Sequence, residues 1–458
     1  MAKENVRVIL WGLGAMGKGM AEVLLNKKGV EIVGVIDIEE KVGKSIYEYI
    51  DVERGNREDI IIGSREDIVK EGVADIAIIA TDSFIRNTFD KIKYCLDRKI
   101  NVISTAEEMS YPWAQEPELA EEMDRIAKEN GVTVLGTGIN PGLIMDLLVV
   151  ILTGACIDVD FIKAERVNNL SPFGPAVMDG QGVGLTVEEF NKKVEEGNLA
   201  GHVGFPESIT MIADALGLEL DEEIKLSRQP IVSSVYRKSA YAEVETGDVA
   251  GCNMKGYGYV DGEMKIEMLH PQQIEPQLEG GSTGDYITIK GRPNINMAIT
   301  PEIPGGIGTI AMCVNMIPHV INARPGLKTM IDLPVPRAIM GDMRDLIDIR
   351  NKKGRDKMDA RKGDWVRIHS IVLEAGNRAP NIPEDTQNVP LELWDKGFLI
   401  NHSANIGDTV EVESYIGRKV EGQLIEVNPY YKHNFGKAVP ELLYIGRQVR
   451  ALIEEDGE

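Results

Sequence analysis

The chain has 458 residues, and 73 acidic against 50 basic side chains give it a formal net charge of −23. A chain of this length exceeds one compact core, so two or three domains are expected. Hydrophobic residues make up 43% and charged residues 27%, as in ordinary globular proteins, which excludes extensive disorder. The negative charge disfavours nucleic acid as a partner, because phosphate backbones are bound through clustered cations.

Neither a membrane segment nor a metal site is indicated. No apolar run reaches the roughly 20 residues that span a bilayer, and residues 1–5 lead directly into a strand without a signal-peptide pattern. We therefore expect a cytoplasmic protein. The four cysteines are widely spaced and include no Cys-x-x-Cys pair, so we expect reduced, structural thiols and no zinc.

Short apolar runs alternate with amphipathic stretches as far as about residue 150. Such alternation of strands with helices is typical of a parallel sheet covered on both faces, the doubly wound α/β fold. The predicted strands are Val6–Trp11, Glu31–Ile36, Asp59–Ile62, Asp75–Ala80, Asn101–Ser104 and Val132–Leu135.

Longer strands and hairpins begin near Val159 and indicate a second, mostly antiparallel α+β domain. The segment Gly258–Ile266 contains an Asp-Gly pair, which can supply the positive φ angles of a tight hairpin turn. Two amphipathic helices are predicted at Thr186–Glu196 and Pro206–Leu216. A glycine-rich turn at residues 305–308 then begins an apolar helix that we expect to pack back on the first domain.

A third region follows a charged linker. Residues 343–361 are dense in charge and poor in apolar side chains after Ile349, which is typical of a linker. Beyond them, Gly407–Val412 and Lys419–Val427 alternate at a period of two residues, which predicts a small β-barrel. The predicted domains are residues 1–150 plus about 305–342, residues 151–304, and residues 362–458.

A phosphate-binding pattern follows the first strand, which runs into Gly12-Leu13-Gly14-Ala15-Met16-Gly17 and then a helical pattern. In a Gly-x-Gly-x-x-Gly fingerprint the first glycine makes the tight turn and the second lets backbone approach the pyrophosphate. The third lets helix and strand pack closely. N–H groups at the helix start then bind the anion. We therefore predict a Rossmann domain that binds NAD or NADP.

Asp37 stands at the end of the second strand, twenty residues after Gly17. A carboxylate there accepts hydrogen bonds from the adenosine ribose hydroxyls and repels a 2′-phosphate, which favours NAD over NADP. Lys41 and Lys44 follow closely and can weaken that preference.

Loops after later strands complete the crevice at the carboxyl ends of the sheet, where doubly wound folds bind their ligands. Thr81, Ser104 and Asn140 each lie in such a loop and are expected to line the nicotinamide side. The alternative is an ordinary solvated turn, because loops after strands use Ser, Thr and Asn in any case.

The second domain should supply the group that accepts a proton, since hydride transfer usually needs a base for the accompanying proton. His202, which is flanked by glycines, is the predicted acid/base, with Glu207 as a second catalytic candidate. A group that titrates near neutrality suits this task. Glu165 and Glu107 are the alternatives.

Substrate contacts are predicted at Arg166, Asn168 and Ser208. Arg166 can pair with a substrate carboxylate, although a structural ion pair would occupy it equally well. The remaining histidines of the second domain and its following helix, His270 and His319, are expected to be turn and helix residues.

Together these motifs resemble those of the 2,4-diaminopentanoate dehydrogenases, distant relatives of the 4-hydroxy-tetrahydrodipicolinate reductases. The resemblance covers about residues 5–342 and is carried by the glycine-rich start, Gly136–Gly142, Gly201–Ser208 and Asn322–Leu327. It implies a substrate and oligomerisation domain of the dihydrodipicolinate-reductase type. It also implies oxidative deamination of 2,4-diaminopentanoate at C4 with NAD(P)⁺, which releases ammonia and 2-amino-4-oxopentanoate. The paired histidines and lysine of the reductases are not evident, which disfavours their cyclic substrate.

The third domain resembles the small alpha subunits of 2-amino-4-oxopentanoate thiolases. The resemblance covers nearly all of residues 360–455 and is carried by Lys362–His369, Arg378–Pro380 and Val427–Gly436. It implies thiolysis of the dehydrogenase product by coenzyme A (CoA), together with a separate large subunit that carries pyridoxal phosphate (PLP). Both reactions belong to ornithine fermentation, so the two resemblances support each other.

Two alternatives stay open at this point. Another amino-acid or semialdehyde dehydrogenase, of the homoserine or diaminopimelate type, would share the Rossmann architecture. The third domain could be a docking module without catalytic residues; the cluster Tyr430–Asn434 discriminates, since CoA or PLP chemistry needs cations and hydroxyls. Most enzymes of this build are homo-oligomers, so a homodimer or homotetramer is expected.

Overall fold

The computed structural model describes residues 4–221, 224–348 and 360–429. The chain divides into two compact units, Met1–Asp348 and Ile349–Glu458. Within the described ranges, no helix is both long and apolar enough to cross a membrane. No group of three or more His, Cys, Asp or Glu side chains in those ranges is arranged to hold a metal ion. All four cysteines are free thiols, and three of them are buried.

Strands and helices alternate through the first part of the first unit. In chain order these elements are β1 (Val6–Trp11), α1 (Ala15–Leu25), β2 (Val30–Ile36), β3 (Ile62–Gly63), α2 (Arg65–Ile68), β4 (Ile76–Ile79), α3 (Ile85–Leu96), β5 (Asn101–Ser104), α4 (Pro117–Asn130), β6 (Thr133–Gly136) and α5 (Leu147–Thr153).

Longer strands dominate the second part of this unit. Its elements are β7 (Asp158–Asn169), α6 (Pro175–Gly180), α7 (Val187–Glu195), α8 (Phe205–Leu216), β8 (Lys225–Val232), β9 (Arg237–Lys238), β10 (Glu243–Val244), β11 (Val249–Val260), β12 (Glu263–Gln273), β13 (Gly284–Arg292), β14 (Ile295–Ile299), α9 (Gly305–Asn322) and β15 (Gly326–Lys328). Short 3₁₀ helices include Glu107–Ser110, Pro276–Glu279 and Met343–Leu346.

A seven-stranded parallel sheet in the order β15-β6-β5-β4-β1-β2-β3 organises the first part of the unit. All four residues of β4 are buried, as a strand covered by helices on both faces requires. The strand order, with the chain crossing from β2 and β3 to β4 on the other side of β1, is that of a doubly wound Rossmann sheet. The Rossmann fold expected from the sequence is therefore present.

The chain returns to this sheet after the second part of the unit. Helix α9 packs against α1 and against β4, β5 and β6, and β15 pairs with β6. Met312, Met316 and Val320 of α9 are buried in the same hydrophobic core as Val8 and Leu10 of β1. The apolar helix predicted after residue 305 thus lies on the first sheet.

A six-stranded sheet in the order β14-β13-β7-β12-β11-β8 forms the second part. Only β7 and β12 run parallel to each other, and the other neighbours are antiparallel. The β11–β12 turn has Asp261 at φ +53° and Gly262 at φ +78°, the left-handed conformations that the Asp-Gly pair predicts. Helices α5 and α8 contribute to the core beside this sheet, which gives an α+β arrangement.

The second unit contains β16 (Ala360–Arg361), β17 (Trp365–Leu373), α10 (Glu384–Gln387), β18 (Leu391–Leu399), β19 (Ser403–Ala404), β20 (Thr409–Glu413) and β21 (Lys419–Val427). Strands β17, β18, β20 and β21 pair into a closed ring. Its buried core includes Val366, Ile368, Val412 and Leu424.

The predicted linker of residues 343–361 is structured at both described ends. Met343 and Ile347 are buried in the core of the first unit, and Ala360–Arg361 pairs with β19. Both described ends therefore differ from the predicted linker. Their few apolar side chains pack against, or their backbone pairs with, residues outside 343–361. The charge-dense run 349–359 lies outside the described residues.

A chain that ends at Asp348 is expected to fold on its own, since the hydrophobic clusters of the first unit contain only residues up to Ile347. Its thermal midpoint, followed by circular dichroism, should match that of this unit in the full chain. A shorter chain that ends at Ala323 is the control, because it loses β15 and the buried Met330 and Met343 and should melt lower. Equal destabilisation of both truncated chains would contradict the division of the chain into two units after Asp348.

Candidate active site

The glycine-rich turn after β1 is built for close approach of a ligand. Gly12 has φ +102°, and a Cβ on it would lie 2.4 Å from the carbonyl oxygen of Ala80. A Cβ on Gly17 would lie 1.8 Å from the carbonyl oxygen of Gly12, so only glycine lets α1 pack on the turn. A Cβ on Gly14 would meet no described atom within 4 Å. The start of α1 is therefore open, and no acidic side chain lies in its first turn.

Asp37 follows β2 and faces this turn. Its Oδ2 atom accepts hydrogen bonds from the backbone N–H of Leu13 at 2.5 Å and from Nζ of Lys41 at 3.0 Å. Burial raises the pKa of Asp37, but hydrogen bonds from Ile38, Lys41 and Leu13 outweigh it, so the pKa lies below its ordinary value. The acid of the fingerprint is thus ionised, with a lysine cation beside it.

The three predicted loop residues have different surroundings. Thr81 is exposed, and its hydroxyl accepts a hydrogen bond from Lys91 at 2.9 Å. Ser104 is buried and accepts from the backbone N–H of Ala106 at 3.2 Å, so it stabilises the turn after β5. Only Asn140 of the three lines the large cavity described next.

A cavity of about 1390 Å³ lies between the carboxyl edge of the Rossmann sheet and the second sheet. From the Rossmann side it is lined by the first turn of α1 and by loops after β4, β5 and β6. The second part of the unit contributes the ends of β7 and β12 and the loops near residues 201, 281 and 303. Its polar lining includes Asp82, Glu107, Asn140, Arg166, Asn168, Gln181, His202, His270, Gln272 and Glu302.

Two adjacent parallel strands bring much of this polar lining together. Along β7 and β12 every second side chain points into the core, and the first of these are apolar and the last are polar. The inward series are Ile162, Ala164, Arg166 and Asn168 on β7, and Ile266, Met268, His270 and Gln272 on β12. Because Gln272 pairs with Asn168 in the strand register, the polar ends of both series meet at the cavity.

His202 and His270 face each other across Asn140. Their ring centroids are 4.6 Å apart, and Nδ2 of Asn140 lies 3.2 Å from Nε2 of His202 and 3.3 Å from Nδ1 of His270. Burial, and then the nearby Arg166 guanidinium, lower the pKa of His202 to about 3. Burial also brings the pKa of His270 well below its ordinary value. Both rings are therefore neutral and accept the two N–H groups of the amide.

Arg166 makes a buried ion pair with Asp285 and donates to the carbonyl oxygen of Ile303 at 2.6 Å. The guanidinium borders the cavity, but its two terminal nitrogens bind the protein. This differs from the predicted pairing with a substrate carboxylate and matches the structural ion pair weighed against it. Asn168, by contrast, has an Oδ1 atom without a hydrogen-bond partner among the described residues.

Glu207 and Ser208 lie on α8 and are not part of the cavity lining. Glu207 is fully buried and accepts from Nε2 of Gln115 at 2.6 Å, and burial raises its pKa to about 7. Ser208 donates to Asp146 at 3.0 Å, and Asp146 in turn accepts the N–H of Gly142 at 2.7 Å. The Ser208 and Asp146 contacts connect α8 to the loop of Asn140, whereas Glu207 connects α8 to Gln115.

Glu107, which the sequence suggests only as an alternative base to His202, borders the cavity directly after β5. Burial raises the pKa of its carboxyl to about 7, against a hydrogen bond from Ser83, and the neighbouring Asp82 and Glu108 carboxylates raise it further. His270 and Gln272 also line the cavity, although neither is among the site residues predicted from the sequence. The alternation of buried side chains along β12 could have indicated both.

The fold and the cavity define an oxidoreductase with a nicotinamide cofactor. Residues 6–137 match the model of an oxidoreductase family with an NAD-binding Rossmann fold. Residues 143–349 match the 2,4-diaminopentanoate dehydrogenase C-terminal domain. Over 344 residues, 75% of this chain and 98% of the relative, the chain is 67% identical to 2,4-diaminopentanoate dehydrogenase of Acetoanaerobium sticklandii. The chain therefore belongs to the 2,4-diaminopentanoate dehydrogenase family, as its motifs indicated.

The end of the chain matches a second family. Residues 359–453 match the model of the AKP thiolase subunit OrtA. A stretch of 93 residues is 58% identical to the 2-amino-4-ketopentanoate thiolase alpha subunit of Acetoanaerobium sticklandii, covering 20% of this chain and 91% of that protein. The resemblance of the third domain to thiolase alpha subunits is thus confirmed, and an alpha subunit implies a partner thiolase subunit.

A solved structure supports the fold of the first unit. Amine dehydrogenase from Mycobacterium smegmatis superposes with a TM-score of 0.63 at 28% sequence identity, over 73% of this chain and 98% of that one. The relationship therefore covers both parts of the first unit and not the Rossmann sheet alone.

The surroundings of Asp37 yield a prediction about cofactor choice. Asp37→Ala should raise the KM for NAD⁺ about tenfold through loss of a ribose acceptor, and should affect NADP⁺ less because it also removes a repulsion. Lys41→Ala is the matched variant and should weaken NADP⁺ more than NAD⁺. Steady-state kinetics with both cofactors measure this, and equal losses for the two would exclude Asp37 as the discriminating residue.

Proposed function

We propose that the first unit catalyses NAD(P)⁺-dependent oxidative deamination of 2,4-diaminopentanoate at C4, giving 2-amino-4-oxopentanoate and ammonia. The main support is the 67% identity to 2,4-diaminopentanoate dehydrogenase over 98% of that protein's length. A homoserine- or diaminopimelate-type reaction, the alternative that the Rossmann fold alone leaves open, is disfavoured by the same observation. The polar cavity at the carboxyl edge of the sheet supports a small amino-acid substrate.

The residues of the glycine-rich turn fit a dinucleotide. The open start of α1 at Gly14 suits the pyrophosphate, and Asp37 suits the adenosine ribose. Ala15 and Met16 border the cavity where the nicotinamide would enter. When bound, the nicotinamide supplies the chemistry of accepting a hydride from C4 of the substrate. We infer that NAD is favoured, with Lys41 moderating the repulsion of NADP.

Glu107 is proposed to accept the proton. The C4 amine is an ammonium ion in water at neutral pH, and it must lose a proton before hydride leaves the neighbouring carbon. A carboxyl with a pKa of about 7 is half ionised at neutrality, which suits a general base. His202, with a pKa of about 3, is a poor proton acceptor and serves instead as a neutral hydrogen-bonding group beside Asn140.

The rest of the cavity suits the amino-acid end of the substrate. Asn168 Oδ1, Gln181 Oε1 and Gln272 Nε2 are buried atoms without a partner among the described residues. A buried polar atom left without a partner costs about 1–3 kcal/mol, so a bound ligand that supplies one is favoured. Amide oxygens can accept from the C2 ammonium, and an amide N–H₂ can donate to the carboxylate. Arg166 contributes its charge from the cavity edge.

The second unit is proposed to act on the product of the first. As the alpha subunit of a thiolase it would join a separate large subunit carrying PLP, and CoA would attack C4 and cleave the C3–C4 bond to give acetyl-CoA and alanine. The cluster Tyr430–Asn434, which would discriminate catalysis from docking, lies outside the described residues, so either role fits. We also propose that the chain forms a homodimer or homotetramer.

The role of Glu107 predicts a pH dependence. Because the base must be ionised, kcat/KM for deamination should fall about tenfold per pH unit below a pH near 7, and level off above it. Glu107→Gln should lower kcat by about 10²-fold or more and remove this acid limb, whereas NADH binding should persist. His202→Gln is the control and should keep the limb. The opposite pattern, with the limb lost only in the histidine variant, would make His202 the base.

The fusion predicts a division of labour between the two units. Fusion in one chain keeps a tethered partner at a raised local concentration, up to about millimolar for a short link. Acetyl-CoA formation from 2-amino-4-oxopentanoate should need both residues 360–458 and the separate PLP subunit, while a chain cut near Gly354 should retain deamination. The two halves and the full chain are assayed with and without the partner. Thiolysis by the isolated chain, or by the partner without this unit, would show the assignment is wrong.

A further inference from the structure

One stretch of the cavity lining has little regular structure of its own. Gln272, Pro276, Gln277, Gly281, Ser282 and Thr283 all border the cavity, and we call residues 272–283 the substrate wall. Within it, Glu275 has φ +45° and Gly280 φ +73°, on either side of the single 3₁₀ turn Pro276–Glu279. A short irregular segment of this kind depends on side chains from elsewhere to fix its position.

Arg237 supplies those contacts from β9, a two-residue strand whose sheet partner is β10. Its side chain is 1% exposed. One terminal nitrogen donates to the side-chain oxygen of Gln273 at 2.8 Å and to the carbonyl oxygen of Ile274 at 2.7 Å. The other terminal nitrogen is ion-paired with the Glu279 carboxylate. The planar guanidinium therefore binds both ends of the irregular segment at once, a geometry that a lysine cannot reproduce.

Neighbouring groups orient the Arg237 guanidinium and the Glu279 carboxylate. Nε of Arg237 donates to the hydroxyl of Ser233 at 2.6 Å, and the backbone N–H of Ser234 donates to Glu279 at 3.1 Å. On the other side of the wall, the N–H of Glu275 donates to Ser171 at 3.0 Å and to Asn169 at 3.2 Å. The segment is thus held from two sides, but among these contacts only the guanidinium spans it from Gln273 to Glu279.

We propose that Arg237 is a positioning residue for substrate binding, which clamps the substrate wall so that the buried amide of Gln272 is held toward the amino-acid end of the substrate. This inference rests on the function proposed above. The Rossmann loops that hold the cofactor do not belong to the wall. Loss of the clamp should therefore weaken binding of the diamino acid and leave binding of the cofactor intact.

The kinetic test compares Arg237→Gln and Arg237→Lys with the wild-type chain. Arg237→Gln should raise the KM for 2,4-diaminopentanoate about tenfold or more, since at least one buried polar contact is lost, with kcat and the KM for NAD⁺ within about twofold. Arg237→Lys should recover only part of the loss, because it restores the positive charge but not the planar guanidinium with its two terminal nitrogens. Arg292→Gln, which breaks an exposed ion pair with Asp158 of the six-stranded sheet, is the control and should change nothing.

A second readout separates positioning from general stability. With the full-length chain, hydrogen–deuterium exchange of peptides covering residues 272–283 should speed up in Arg237→Gln, while peptides from β1 and α1 exchange as in the wild type. Glu279→Gln is the milder variant and should shift exchange and KM in the same direction, which keeps the test valid if Arg237→Gln folds poorly.

Unchanged exchange in the wall, or a loss of kcat and NAD⁺ binding in parallel with the diamino acid KM, would overturn the proposal. A wild-type chain that fails to deaminate 2,4-diaminopentanoate would instead refute the proposed function. The exchange measurement needs no substrate, so it still decides whether Arg237 holds the wall.

Discussion

The ion pair between Arg166 and Asp285 is the contact on which much of the first unit depends. The two residues are paired directly across β7 and β13, and their side chains are 2% and 0% exposed. Both also bind Ile303: the guanidinium donates to its carbonyl oxygen, and the carboxylate accepts its N–H at 3.0 Å. Ile303 stands just before α9, where the chain leaves the second sheet and returns to the Rossmann core. One buried pair thus fixes that crossing, and removal of one partner from such a pair typically costs about 3–5 kcal/mol.

The same guanidinium shapes the chemistry of the cavity. Burial is the main cause of the lowered pKa of both His202 and His270; Arg166 adds to it for both rings, and for His270 the neighbouring His202 adds more than Arg166 does. Asn140 can then donate one N–H to each ring, and these three side chains form a hydrogen-bonded neutral group. On the Rossmann side the neighbouring charges are negative. The Asp82 and Glu108 carboxylates raise the pKa of the Glu107 carboxyl beyond the effect of burial. The cavity therefore has acidic side chains beside the cofactor loops and a pair of neutral histidines toward the second sheet, as suits a substrate whose reacting group is an amine.

The Rossmann half could be predicted almost completely, because its strands are buried apolar runs and its glycines are fixed by contacts within one turn. The role of Arg166 could not, since Asp285 lies 119 residues further along the chain and only the sheet register brings the two together. The prediction of a turn at His270 is wrong, because alternation with Met268 places His270 on the inward face of β12. Ser208 looked like a substrate contact because its polar neighbours were visible in sequence, whereas its partner Asp146 was not. Glu107 differs from the neighbouring Glu108 in that it borders the cavity, which no local pattern encodes.

The carboxyl of Glu107 has a consequence for the direction of the reaction. A group with a pKa of about 7 is present in both protonation states at neutral pH. On the role proposed for it, the Glu107 carboxylate accepts a proton from the C4 ammonium; by microscopic reversibility the protonated carboxyl returns that proton to the amine nitrogen in the reverse reaction, after C4 has been reduced. Neither direction is blocked by the charge state of the site. Net flux through such a catalyst follows the ratio of oxidised to reduced nicotinamide and the concentration of ammonia. A downstream step that removes the ketone would then make the deamination run forward without any change in the enzyme.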